Sequence, residues 1–365
     1  MRFVFKRSYD ADINLFKHKP QAMWYLALLA LVVALPWLLD EFFLGEATNV
    51  LIWAIAGMGL MLLVGHSGQA SLGHAAFMAV GCYANVIMLE RGVPFILSLP
   101  LSGVIAGFAG VIVALPVLRL HGIYLAIATL AVSVLTEDFI VIAEPWTGGV
   151  VGLVAPPIDV FGLEIDRYGT PTEFYFLCLI VTLVVLAGYR NLLRAPLGRA
   201  FVAMRDSEIS AQAMGVNIRR TKATAFGLSC AATGLAGALL GHYAGAFNHE
   251  TFNLVLSIQL LLMIVIGGLG SIHGAFFGAI LIGFLPQFIA ISRDGISSAF
   301  GLGSVTIPGI ESGVFALILI GFILFEPMGI YGRWVKIRTY FELFPFYRKD
   351  MFKRQKSYLK TERMR

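Results

Sequence analysis

The sequence predicts an all-α fold: a polytopic inner-membrane bundle of about ten transmembrane helices with both termini cytoplasmic. Three observations carry this. First, 58% of the 365 residues are hydrophobic and 13% are charged, against about 45–50% and about 25% in soluble domains. So little charge cannot cover a water-facing surface, and disorder needs the opposite balance. Second, apolar runs long enough to cross about 30 Å of hydrocarbon recur along the chain. Third, of the 27 Lys and Arg, only Arg91, Arg167 and Arg293 lie outside four segments that ten spans place on one side.

In chain order, residues 1–20 form a polar cytoplasmic segment. The apolar run that follows meets Pro36, Trp37, Asp40 and Glu41 rather than a small-residue cleavage site, so it reads as a span and not a removed leader. Spans are expected at 21–39, 47–65, 75–89, 95–118, 122–143, 173–193, 223–247, 252–268, 274–291 and 304–325. The third is short enough to be a tilted helix or a re-entrant segment. Pro36, Pro116, Pro286 and Gln287 are expected to kink or break their spans. Together 21–330 form one transmembrane domain, followed by a basic cytoplasmic tail at 331–365.

Charge fixes the orientation. Lys and Arg cluster before the first span, at Arg119, between Arg190 and Lys222, and after Arg333, which makes that side the cytoplasm. Asp40, Glu41, Glu46, Glu144, Asp159, Glu164, Asp166 and Glu173 fall on the other. The net charge of +5 therefore reports topology, and no nucleic-acid partner is implied. Cys82, Cys178 and Cys230 stand far apart without metal-ligand spacing and read as small buried residues. His66 and His74 lack a third ligand, so no metal site is expected.

Two connections are long enough to be functional. One is external, 144–172. The other is cytoplasmic, 194–222, where Pro196 opens a helix, Asp206 and Ser207 are N-cap types, and Gly215 is a stop. This reads as two short amphipathic helices with Phe201, Met204, Ile209, Ala213 and Met214 as a broken apolar face. Such helices lie in the headgroup layer or enter a groove on a partner.

This loop resembles the cytoplasmic coupling loop of ATP-binding-cassette (ABC) importer permeases, specifically the LivM-type permease of high-affinity branched-chain amino acid importers. The shared pattern falls on Pro196, Gly198, Arg199, Ala203, Arg205, Asp206, Glu208, Ala211 and Gly215. Residues 65–77, 118–130 and 265–274 agree in order and spacing, and the resemblance covers roughly 47–330. The interval from Glu208 to Gly215 is one residue longer than in the general importer signature, and Ser210 interrupts the alanines. The resemblance implies a non-catalytic subunit that pairs with a homologous LivH-type permease. Two cytoplasmic ATPases and a periplasmic substrate-binding protein complete the importer. It also implies that Arg205, Asp206, Ser207, Glu208, Ala211, Met214 and Gly215 meet an ATPase. The chain has no phosphate loop, and no Gly-Lys pair at all, so no cofactor is expected here and ATP and Mg belong to the partners.

Polar residues at membrane depth are default functional candidates. Ser67, Gln69, Ser71 and His74 crowd a glycine-bearing stretch at a span end, and Gln259 lies inside a span. They either line the substrate path or belong to small-residue helix packing. A weak echo relates 71–79 to 271–279, with Ser, Ala, Phe and Ala in register; it is either chance or an internal repeat of the kind transporters contain. Carboxylates are scarce within the spans: Glu137 and Asp138 sit near an outer end. That argues against the alternative, an ion-coupled secondary transporter or channel for small polar solutes, and no nucleophile–base pair suggests an enzyme. The absence of mid-membrane charge favours neutral or zwitterionic cargo, with ureas or amides as the other substrates of this family.

Overall fold

The computed structural model describes residues 19–117, 120, 122–160, 162–300 and 328–343, with isolated helical positions between 313 and 325. The expected span at 304–325 and Arg119 lie largely or wholly outside these residues. The helices are α1 (Lys19–Leu38), α2 (Glu41–Leu60, continued by a π-helical turn, Met61–His66), α3 (His74–Glu90), α4 (Phe95–Val117) and α5 (Ile123–Ile142). After a single helical turn, α6 (Glu144–Thr147), come α7 (Pro171–Arg194), α8 (Pro196–Asp206), α9 (Glu208–Ala213), α10 (Ile218–Ala244), α11 (Leu254–Gly267), α12 (Ile272–Phe300) and α13 (Gly329–Leu343). Among the described residues seven helical segments are long and apolar enough to cross a membrane, and Ala22–Leu38 and His74–Glu90 are shorter apolar helices. The nine expected spans from 21–39 to 274–291 each fall on a helix, with most ends within a few residues. The third is a regular helix preceded by a non-helical break at 68–73.

Two helices make the centre. Most of α2 and α10 is buried, whereas α5 and α7 turn most of their surface outward. In water such exposed Leu, Ile and Phe would be a liability; in lipid they are the expected surface. α10 packs against α2, α3 and α4, and small residues let the backbones meet. A Cβ on Gly59 would lie 2.8 Å from the Ser229 carbonyl oxygen, one on Gly81 would overlap the Gly234 backbone, and one on Gly237 the Met78 carbonyl. Close approach of this kind is how membrane helices gain van der Waals contact where no hydrophobic force separates helix from lipid.

α2 begins at Glu41, not near 47. The acidic residues that suggested a loop are helical: Glu41 sits in the first turn, where the helix dipole favours negative charge, and Glu46 points inward with 6% of its surface exposed. The segment 144–172 is not plain loop either. β2 (Ile158–Val160) pairs with β3 (Leu163–Ile165), and β1 (Leu153–Val154) pairs with β4 (Ala246–Phe247) at the C-terminal end of α10. These two short ribbons are the β structure within the described residues, and the β1–β4 pair ties this segment to the bundle.

Candidate functional site

Local rules build the 194–222 loop. Ala195 is extended (φ −69°, ψ 162°), so Pro196 can take the first position of α8. Ser207 is extended too (φ −162°, ψ 113°), and its hydroxyl accepts from the Ser210 N–H at 3.2 Å, capping α9. At the far end Val216 N–H donates to the Ala211 carbonyl and Gly215 N–H to that of Gln212, each at 3.0 Å, the paired bonds of a Schellman stop. Gly215 has φ +88° with open space around it, so glycine is required there by backbone conformation alone.

The broken apolar face expected across this loop is divided between two sides of it. Phe201 and Met204 are buried, together with Ala211, while Ile209 and Met214 are 84% and 86% exposed and Ala213 is exposed as well. The extended Ser207 between the two helices resets their relative rotation. One set of apolar side chains therefore turns to the bundle and the other away from it.

Two side chains join this loop to the spans. Arg205 donates through Nη1 to the Gly65 carbonyl at 3.0 Å, and through Nε and Nη2 to Asp206 Oδ1 at 3.1 and 3.0 Å. Its Cγ lies 2.9 Å from where Gly68 would carry a Cβ, and its Nη1 lies 3.6 Å from the same point on Gly270. Gly65 and Gly270 are themselves in contact, since a Cβ on Gly65 would come within 2.8 Å of the Gly270 nitrogen. The Arg205 side chain on α8 thus touches the end of the π-helical turn, the start of the break that follows it and the turn between α11 and α12, just before the two segments related by the weak sequence echo. The second link is Glu208 Oε1 to Lys222 Nζ at 2.7 Å, with the Lys222 side chain 6% exposed and that of Glu208 38% exposed. It fastens the start of α9 to the first turns of α10.

The break at 68–73 and the Ser67 that precedes it are stitched internally. Ser67 Oγ donates to the Leu63 carbonyl at 2.7 Å and Gln69 Nε2 donates to Ser67 Oγ at 2.9 Å. Ser229 Oγ donates to the Gly59 carbonyl at 2.7 Å, so it accepts from His74 Nε2 at 2.8 Å, which leaves His74 Nδ1 to accept from Ser71 Oγ at 2.9 Å. Leu72 N–H donates to Thr129 Oγ1 and Ala75 N–H to Ser257 Oγ, each at 2.9 Å. Ser67, Gln69, Ser71 and His74 are all buried. The chain itself supplies partners for this stretch: backbone N–H groups freed by the missing helical turn donate to α5 and α11, and the His74 ring reaches α10.

Gln259 lies apart from these four. It lines a cavity of about 170 Å³ between α2, α11 and α12 with Glu46, Asn49, Trp53 and Gln287. Sequence reasoning counted Lys222 only as a loop charge, placed Glu46 outside the membrane, and passed over Asn49. An Asn three residues beyond an acid in an otherwise apolar run was the available signal. Among the described residues no three His, Cys, Asp or Glu gather as a metal site, and the three cysteines are buried and unpaired.

Comparison with known proteins places this geometry in context. The family described as "Branched-chain amino acid transport system / permease component" matches residues 42–324. The chain is 35% identical over 284 residues to the high-affinity branched-chain amino acid transport system permease protein LivM of Escherichia coli K12, covering 72% of this chain and 67% of that one. The Salmonella typhimurium LivM is 34% identical over the same shares. The Escherichia coli K12 LivH permease is 24% identical over 299 residues, 77% of this chain and 91% of that one. No solved structure matches the chain.

Proposed function

The chain belongs to the branched-chain amino acid transport permease family, and from that membership we propose that it is a membrane subunit of an ATP-driven ABC importer in the inner membrane. It would translocate branched-chain or other neutral amino acids. Ten spans with both termini cytoplasmic, division into a 1–20 segment, a 21–330 permease domain and a 331–365 tail, and pairing with a LivH-type permease belong to the same reading. So do two cytoplasmic ATPases and a periplasmic binding protein docking on the acidic outer face that includes 144–172.

The observation that carries the reading is the two-sided build of α8 and α9. Their inner side is fixed to the spans by the Arg205 bonds and the Glu208–Lys222 ion pair, while Ile209 and Met214 are presented outward at the cytoplasmic end. A helix pair free of the bundle would only lie at the surface; one fastened at two points converts a push from a soluble partner into tilt of α2 and α10. On this reading Arg205, Asp206, Glu208 and Ala211 hold the lever, and Ser207, Met214 and Gly215 shape and present its tip.

The test uses the assembled importer. A cysteine introduced by Met214→Cys should crosslink to an ATPase subunit and change its crosslinking rate on ATP binding. Glu208→Arg combined with Gly215→Pro should abolish uptake. If uptake survives that double change, or the loop is cut by protease equally with and without the ATPases, the assignment is wrong.

A further inference from the structure

The cavity between α2, α11 and α12 holds polar groups that the bundle does not satisfy. Glu46 Oε2 and Asn49 Oδ1 are fully buried and have no hydrogen-bond partner, although Glu46 as a whole is only 6% exposed. Both are acceptors. No ion pair to Glu46 forms among the described residues. Arg167, whose Nη2 lies 3.7 Å from a Cβ position on neighbouring Gly45, instead donates to the Tyr243 carbonyl at 2.9 Å and stacks 3.7 Å over the Tyr243 ring.

Leaving a carboxylate oxygen buried without a donor is costly, and such a group calls for a partner from outside the chain, a water, an ion or a ligand. An ammonium group carries three donors and a positive charge, which is the complement of this set of acceptors. Gln259 and Gln287 bring amide N–H donors on the α11 and α12 walls, suited to a carboxylate. Trp53, Ile282 and Pro286 supply apolar surface. The space is a half-open cleft of about 170 Å³, similar in volume to the roughly 150 Å³ cavity that admits a benzene ring, so a solute of small amino-acid size can enter it.

We propose that this cavity is a transit site for a zwitterionic α-amino acid, its ammonium held by Glu46 and Asn49 and its side chain resting on Trp53, Ile282 and Pro286. The proposal rests on the importer reading above, since the cargo reaches α2 only if it passes through this chain.

Two measurements on the importer assembled in proteoliposomes test it, with L-leucine as probe. Glu46→Gln keeps the shape and removes the charge, so ATP-driven uptake should fall by about tenfold or more, as loss of a charge-assisted bond in a buried setting requires. Unchanged uptake overturns the proposal. Gln287→Cys should be alkylated by a water-soluble thiol reagent, and leucine should slow that reaction while an equal concentration of potassium chloride should not. Equal protection by potassium chloride identifies a simple cation site and overturns the proposal, as does no protection by leucine. The second measurement decides the matter if Glu46→Gln does not assemble. Failure of the wild-type assembly to take up leucine with ATP would instead count against the importer reading itself.

Discussion

Glu208→Gln removes the charge facing Lys222 and leaves the side chain's shape and its hydrogen-bonding oxygen in place. At the observed 2.7 Å separation the Coulomb attraction is about 6 kcal/mol for an effective dielectric constant near 20, most of it offset by the desolvation of both ions. The variant's cost is set by what it strands. Lys222 is 6% exposed and keeps its charge with a weaker acceptor opposite it. Removing one member of a fully buried pair costs about 3–5 kcal/mol. Glu208 is 38% exposed, so water screens part of the effect, and about 2 kcal/mol is expected. The assay is thermal stability of the purified chain in detergent for Glu208→Gln, Lys222→Met and the double variant. The single Glu208→Gln change should lower stability clearly, and the double variant should recover most of the loss because the stranded ammonium is gone. In the importer, the single variant should also lower uptake per ATP hydrolysed. A single variant within about 0.5 kcal/mol of wild type, the range of ordinary surface substitutions, would refute the reasoning, as would a double variant no more stable than the single.

Three further outcomes follow from the same geometry. Arg205→Lys keeps the charge but loses the planar fork that reaches Gly65 and Asp206 together; the folded bundle should persist by size exclusion while uptake drops about tenfold or more. Gly81→Leu should block folding, because even a Cβ there meets the Gly234 backbone, whereas Gly188→Ala, with nothing within 4 Å of its Cβ, should be neutral or stabilising by up to about 1 kcal/mol; melting in detergent separates the two. His74→Phe strips Ser71 and Ser229 of their shared partner and should cost about 1–3 kcal/mol, read by the same melting assay.

The spans were legible because a bilayer imposes length and polarity together, and the capping chemistry of α8 and α9 was legible because Pro196, Ser207 and Gly215 act within a few residues of themselves. Errors came where the deciding partner is distant in sequence. The hydrogen bonding of Ser71 and His74 was not legible, because Ser229, which accepts the His74 ring N–H, lies 155 residues away. Glu46 looks external because a charge normally ends an apolar run, and only the packing of α11 and α12 against α2 reveals that it points inward. The split of the loop's apolar face depends on one backbone conformation at Ser207, which composition and periodicity do not specify. Lys222 carried no signal of its own, since a lysine at the cytoplasmic start of a span is common on topological grounds.

The central claim, that this chain is moved by ATPases acting through α8 and α9, is tested most directly by uptake of radiolabelled leucine into proteoliposomes. The vesicles would contain the chain either alone with an imposed ion gradient or with its permease, ATPase and binding-protein partners and internal ATP. The account predicts concentrative uptake only in the complete assembly, dependent on ATP and lost with Glu208→Arg plus Gly215→Pro. Concentrative uptake by the chain alone, driven by the ion gradient without ATP, would contradict it.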